Sequence, residues 1–68
     1  SFDKAEERFF YYLYLNHNKI VFKSVTSLSK NLFLSREVTS RLISKMIRED
    51  KIRRSGNTIT KIERELKW

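Results

Sequence analysis

Ser24 and Ser35 split the middle of this chain into two helical segments with almost nothing between them, and that spacing restricts the fold more than any other feature. A serine just before an apolar-periodic run is a natural helix N-cap, because its hydroxyl accepts a hydrogen bond from a backbone N–H that the first turn leaves unpaired. After Ser24, Val25, Leu28 and Leu32 recur at helical spacing, with Ser29 as a small residue between them. After Ser35, Val38, Leu42, Ile43, Met46 and Ile47 gather on one half of a longer helix. Phe33-Leu34 is all that lies between the end of the first segment and the second cap. Two short helices with so tight a connection make a helix-turn-helix.

The flanking segments extend this core on both sides. Asp3 with Glu6 three positions on fits a capping box, and Lys4 to Leu15 has no Gly or Pro to interrupt a helix. Phe9, Phe10, Tyr11, Tyr12 and Tyr14 cannot all enter one small core, so some of these rings meet solvent or a neighbouring surface. Asn16-His17-Asn18 is a polar break in which His17 suits a helix end, and Ile20-Val21-Phe22 is a brief β-prone run. Further on, Ile52-Arg53-Arg54 and Thr58 to Ile62 flank Ser55-Gly56-Asn57, which holds the only glycine of the chain. Gly reaches positive φ at low steric cost and Asn tolerates it, so a β-hairpin is expected there. Glu63 to Trp68 either lengthens the second strand or forms a short terminal helix, and Trp68 either caps the core or ends the chain beyond it. The expected fold is mainly α with a small β part (α+β): a winged helix-turn-helix of three helices plus a C-terminal β-hairpin wing, forming one domain over residues 1–68.

Sixty-eight residues leave no room for a second domain, and a chain of this size buries only about 60% of its unfolded surface. Fifteen Lys and Arg against eight Asp and Glu give a net charge of +7, which favours a polyanionic partner such as nucleic acid or an acidic membrane surface. The charge is unevenly placed. Residues 36–54 hold seven basic and three acidic side chains, whereas residues 1–18 hold two and three. Phe9 to Leu15, the one bulky apolar run, contains no basic residue, is too short to span a bilayer and follows no signal-peptide pattern. A membrane role is therefore not expected, and a cytoplasmic, nucleoid-associated setting is. With no cysteine and a single histidine there is no thiolate or His-pair metal site, and no cofactor is expected. Neither a Gly-rich phosphate loop, nor a paired acidic motif, nor a nucleophile beside a base is present, so an enzyme is not expected either.

The half of the second capped helix opposite its apolar stripe carries the chemistry. At 100° per residue Glu37, Arg41, Ser44 and Arg48 stack along one side. The Arg donor fork matches guanine O6 and N7, and Glu accepts from the cytosine amino group, so Arg36, Glu37 and Arg41 form a set able to read bases in double-stranded DNA. Ser24, Ser35 and Ser40, with Lys45 and Arg48 further along, suit phosphate contacts, as do Arg53, Arg54, Asn57 and Lys61 on the hairpin. The plainer alternative is a solvated helix face in which Glu37 is a first-turn acid paired with Arg41 at i, i+4.

From Ser24 to about Ile62 the chain resembles the C-terminal DNA-binding domain of Crp/Fnr-type bacterial transcription regulators, in particular the cyclic-AMP-receptor branch. Arg36-Glu37 followed by Arg41 matches that branch's reading-helix pattern, and Gly56-Asn57-Thr58-Ile59 resembles its wing turn. The likeness covers a little over half the chain. It implies that Arg36 and Arg41 read guanines and Glu37 a cytosine in a half-site similar to TGTGA. It also implies an N-terminal effector-binding and dimerisation region beyond these 68 residues, against which the rings of the first helix would pack, and a contact with RNA polymerase. On that reading the chain alone binds one half-site weakly as a monomer. Two positions depart from the family pattern: Phe33 stands at the turn where a Gly is usual, and Val38-Thr39 follows Glu37 where Thr and then an apolar residue are usual. Phe33 would be strained at positive φ, and the Thr39 hydroxyl would need a partner such as a backbone carbonyl one turn back. Two further readings remain open: a free-standing winged-helix regulator or replication-initiator domain, and a winged helix used for protein contact through its first helix.

Overall fold

The computed structural model describes residues 2–63, and the alternatives for the segment beyond Glu63, including Trp68, lie outside it. In chain order the elements are α1 (Phe2–Leu15), β1 (Lys19–Val21), α2 (Val25–Leu32), α3 (Arg36–Arg48), β2 (Ile52–Ser55) and β3 (Thr58–Lys61). Among the described residues, three helices and a three-stranded antiparallel sheet of order β1-β3-β2 enclose one core.

Helix α1 inserts Ala5, Phe9 and Leu13, one residue per turn on a single face, between α2, α3 and the sheet. Phe9 and Leu13 have no exposed surface, Phe10 and Tyr12 pack on the core's margin, and Tyr11 and Tyr14 face outward. Glu6 does not take the place expected of it in a capping box. The backbone is helical from Phe2, ahead of Asp3, and the Glu6 carboxylate turns to Lys45 and Lys51 instead of its own helix start. The polar break ends the helix as expected: His17 and Asn18 adopt φ of 58° and 63°, and the Asn18 N–H donates to the Leu13 carbonyl at 2.7 Å.

The expected hairpin is β2–β3, and the short strand near Ile20 joins it as a third member by pairing with β3. Gly56, at φ 58°, supplies the left-handed residue of the turn, and Asn57 takes no positive φ. A turn that is left-handed only at its first central residue has the II′ pattern, for which Gly is the usual occupant. The Asn57 amide instead donates to the Lys23 carbonyl at 3.1 Å, while the Asn57 carbonyl accepts from the Phe22 N–H at 2.9 Å. The hairpin tip is thus tied to the start of α2. Because opposite residues of an antiparallel ladder share a face, Ile20, Ile59 and Ile52 point into the core, whereas Lys19, Thr60 and Arg53 form one row on the outer face.

Both serine caps form. Ser24 Oγ accepts from the Ser27 N–H at 3.0 Å, and Ser35 Oγ from the Val38 N–H at 3.1 Å. Leu28 and Leu32 of α2 meet Leu42, Ile43 and Met46 of α3 in the core. Ile47 is the exception to the expected stripe: it lies at the edge of the apolar half and is exposed. Thr39, wholly buried, donates its hydroxyl to the Ser35 carbonyl at 2.9 Å, so the polar atom carried into the core is satisfied one turn back. Between the helices Phe33 occupies the left-handed region (φ 55°, ψ 39°), and its N–H and that of Leu34 return to α2 carbonyls. The turn keeps its tight geometry although a phenylalanine stands at the position that favours glycine.

Candidate nucleic-acid interface

Helix α3 is held along its length by buried side chains at Thr39, Leu42, Ile43 and Met46, which leaves the opposite side uncovered. Arg36, Glu37, Ser40, Arg41, Ser44 and Arg48 are all exposed there, in the arrangement that helical periodicity demands. Ser40, Arg41, Ser44, Lys45 and Arg48 border one shallow depression of about 320 Å³. In the free chain Arg41 Nη2 lies 2.6 Å from Glu37 Oε1, the i, i+4 pair anticipated as the plainer alternative.

Lys45 sits differently from its neighbours. Its ammonium is 3.2 Å from both Glu6 Oε1 and Glu49 Oε1, and Lys51 reaches the same two carboxylates at 3.0 Å. Burial opposes ionisation of Glu6, but hydrogen bonds from Lys51 and Lys45 outweigh it and hold the carboxyl below the usual carboxylate range. Hydrogen bonds to Glu6 and then Glu49 raise both lysines above their ordinary value, and the same bonds, Lys51 first, lower Glu49. Lys45 therefore joins α3 to α1 and to the α3–β2 connection, and its charge is committed inside the protein.

The hairpin cations divide by face. Arg54 is on the core side of β2, where its guanidinium lies 5.2 Å from the Phe22 ring centroid and its Nε donates to the Gly56 carbonyl at 2.8 Å. Lys61, at the far end of β3 from the turn, lies 5.9 Å from the Phe10 ring centroid. Each covers an aromatic ring at the core's margin. Arg53 points to the other face, in the same row as Thr60 and Lys19.

Comparison with protein-family models, curated proteins and solved structures finds no match to this chain. The site therefore rests on its own geometry.

That geometry adds two residues that sequence reasoning left without a role. Lys19 lies across Thr60 from Arg53 because β1 pairs with β3, and Lys23 flanks the hairpin tip because Asn57 bonds to its carbonyl. Residues 19–35 hold three lysines and no acidic side chain, which signals both, but only the strand pairing gives that charge a position. Ser24 and Ser35 are exposed at the starts of α2 and α3 with their hydroxyls engaged as caps. Among the described residues, no three His, Cys, Asp or Glu side chains gather where they could hold a metal ion. Nor is any described helix long and apolar enough to cross a membrane.

Proposed function

We propose that this chain is a sequence-specific double-stranded DNA-binding domain with a winged helix-turn-helix fold, similar to the DNA-binding domain of Crp/Fnr-type transcription regulators. The observation that carries the reading is the two-sidedness of α3. One half is locked into the core, and the other presents Arg36, Glu37 and Arg41 from its first two turns with nothing above them. A helix of 13 residues is about 20 Å long and fits a major groove about 12 Å wide. Its leading end enters first, so residues near Ser35 meet base edges and those near Arg48 stay close to the backbone.

In this mechanism Arg36 and Arg41 donate to guanines and Glu37 accepts from a cytosine. The net charge of +7 supplies the sequence-independent part of the affinity. Arg48 serves phosphates beyond the base readers. On the outer face of the sheet, Arg53 of the hairpin and Lys19 of β1 take phosphate contacts, while Arg54 and Lys61 lie over aromatic rings on the core side.

Fluorescence anisotropy with a duplex containing TGTGA and a scrambled duplex, at two salt concentrations, tests the proposal. The expected result is a cognate preference that Arg36→Ala and Glu37→Ala abolish. Equal, salt-sensitive binding to both duplexes would remove base reading and leave a generic DNA binder; no binding to either would remove the proposal altogether.

A further inference from the structure

Leu32 ends α2, and Phe33 then turns the chain in the left-handed region, a conformation that a phenylalanine holds at a cost. The N–H groups of this turn return to α2, from Phe33 to the Lys30 carbonyl and from Leu34 to the Ser29 carbonyl. The carbonyls of Leu32 and Phe33 are the acceptors that a helix cannot pair at its own C-terminus. Both are taken by α1: Arg8 Nη1 donates to the Leu32 carbonyl at 3.1 Å and to the Phe33 carbonyl at 2.9 Å. We propose, on the DNA reading above, that Arg8 is a positioning residue for base recognition, fixing from α1 the turn that aims Arg36 and Glu37.

Core packing alone does not aim that end of α3. Its buried side chains begin at Thr39 and continue through Leu42, Ile43 and Met46, so Arg36 and Glu37 precede the first of them. Ahead of Thr39, Leu34 and Val38 pack on the core's margin. A binding group has to be held within about 0.5 Å of its productive place, which a marginal contact and a strained turn do not secure by themselves.

The Arg8 guanidinium supplies what is missing. One of its nitrogens carries two N–H groups in a fixed plane, so it grips two successive carbonyls at once, and its charge complements the negative end of α2. The helix that carries it is anchored by Ala5, Phe9 and Leu13, all buried. One turn on from Arg8, Tyr12 Oη accepts from the Asn31 amide at 3.2 Å, so the same face of α1 meets the last turn of α2 twice. Glu6 meanwhile reaches Lys45. Helix α1 therefore holds α3 just before its start, through the turn, and again in its last turn.

Anisotropy titrations of the TGTGA and scrambled duplexes with the parent chain, with Arg8→Met, and with Arg8→Met combined with Phe33→Gly test this role. The ratio of the two affinities cancels the charge lost in Arg8→Met, which weakens both duplexes alike. Arg8→Met should lower that ratio by about tenfold, within the worth of one bidentate base contact. Adding Phe33→Gly should restore the ratio, because glycine holds the left-handed turn unaided, and it keeps the fold measurable by relieving the strain that Arg8 restrains. In the free chain, hydrogen exchange of the Leu34 and Val38 N–H groups should quicken by about tenfold in Arg8→Met, while Ile43 and Met46 keep their rates.

A ratio unchanged in Arg8→Met, or a double variant no better than the single one, overturns the proposal and leaves base reading in place. So does exchange that is unchanged at Leu34 and Val38, or that quickens equally at Ile43 and Met46, the mark of a general loss of stability. A parent chain with no preference for TGTGA overturns base reading, and the role of Arg8 with it.

Discussion

Arg41 Nη2 and Glu37 Oε1 lie 2.6 Å apart on the exposed side of α3, one helical turn from each other. The two groups proposed to read opposite strands of a duplex are therefore partners in the free chain. An exposed i, i+4 pair contributes only about 0.3–0.5 kcal/mol, so parting them on DNA is a small cost beside a bidentate base contact of about 1–3 kcal/mol. Until a cognate base pair takes both ends, the carboxylate shields the guanidinium and repels phosphate.

Glu37→Gln removes both restraints. The melting midpoint should hardly move, affinity for scrambled DNA should rise, and the preference for the TGTGA duplex should fall. Anisotropy titrations on the two duplexes check this, and full preference retained after the substitution would show that Glu37 reads no base.

Arginines on α3 and on the hairpin should fail in different ways. Arg41→Ala is expected to cost about 1–3 kcal/mol on cognate DNA and to blunt preference at one base pair. Arg53→Ala should weaken all sequences alike and reduce the salt slope by about one unit, with stability within about 0.5 kcal/mol of the parent. Arg54→Ala should chiefly lower stability, by about 0.5–1 kcal/mol, because it uncovers Phe22 and frees the Gly56 carbonyl. Salt-dependent titrations beside thermal melts separate the three.

Phe33→Gly should stabilise the fold by about 1 kcal/mol, since the ring is almost wholly exposed and the left-handed backbone no longer opposes a side chain. Urea unfolding measures it. A destabilised variant would mean that the ring has a packing role within the fold.

The Glu6, Lys45, Lys51 and Glu49 network sets a pH window. Glu6 and Glu49 are depressed in the folded chain, so their stabilisation is complete above the ordinary carboxylate pKa of about 4.3 and is lost as pH falls through the lower folded values. Lys45 and Lys51 are raised, so theirs is complete below about 10.4 and is lost as pH rises through the higher folded values. The melting midpoint should be level between about pH 5 and 10 as far as this network is concerned, and should fall on either side. Glu6→Gln should shrink the acid limb while Glu49 keeps part of it. An acid limb equal to the parent's would exclude Glu6 from the network.

Local chemistry alone determined much of this molecule. Ser24 and Ser35 cap their helices because a hydroxyl before an apolar run has a free N–H within reach, and the α3 stripe faces inward because period 3.6 leaves it no other choice. Gly56 turns the hairpin because it alone takes positive φ without penalty, and the exposed Arg36, Glu37 and Arg41 follow from the same periodicity. What depends on contacts between distant segments was not legible. Asp3 and Glu6 matched a capping box in sequence, but Glu6 found two lysines some forty positions away that no local rule could supply. Arg53 and Arg54 are neighbours of identical chemistry, and only the pairing of β2 with β3 sends one outward and the other onto Phe22. Lys19 gained its place beside Arg53 through β1, whose partner strand lies beyond two helices in the chain. Short-range geometry settles which residues form a helix and which face they share; which cation remains available to a partner is settled by what else the fold brings within its reach.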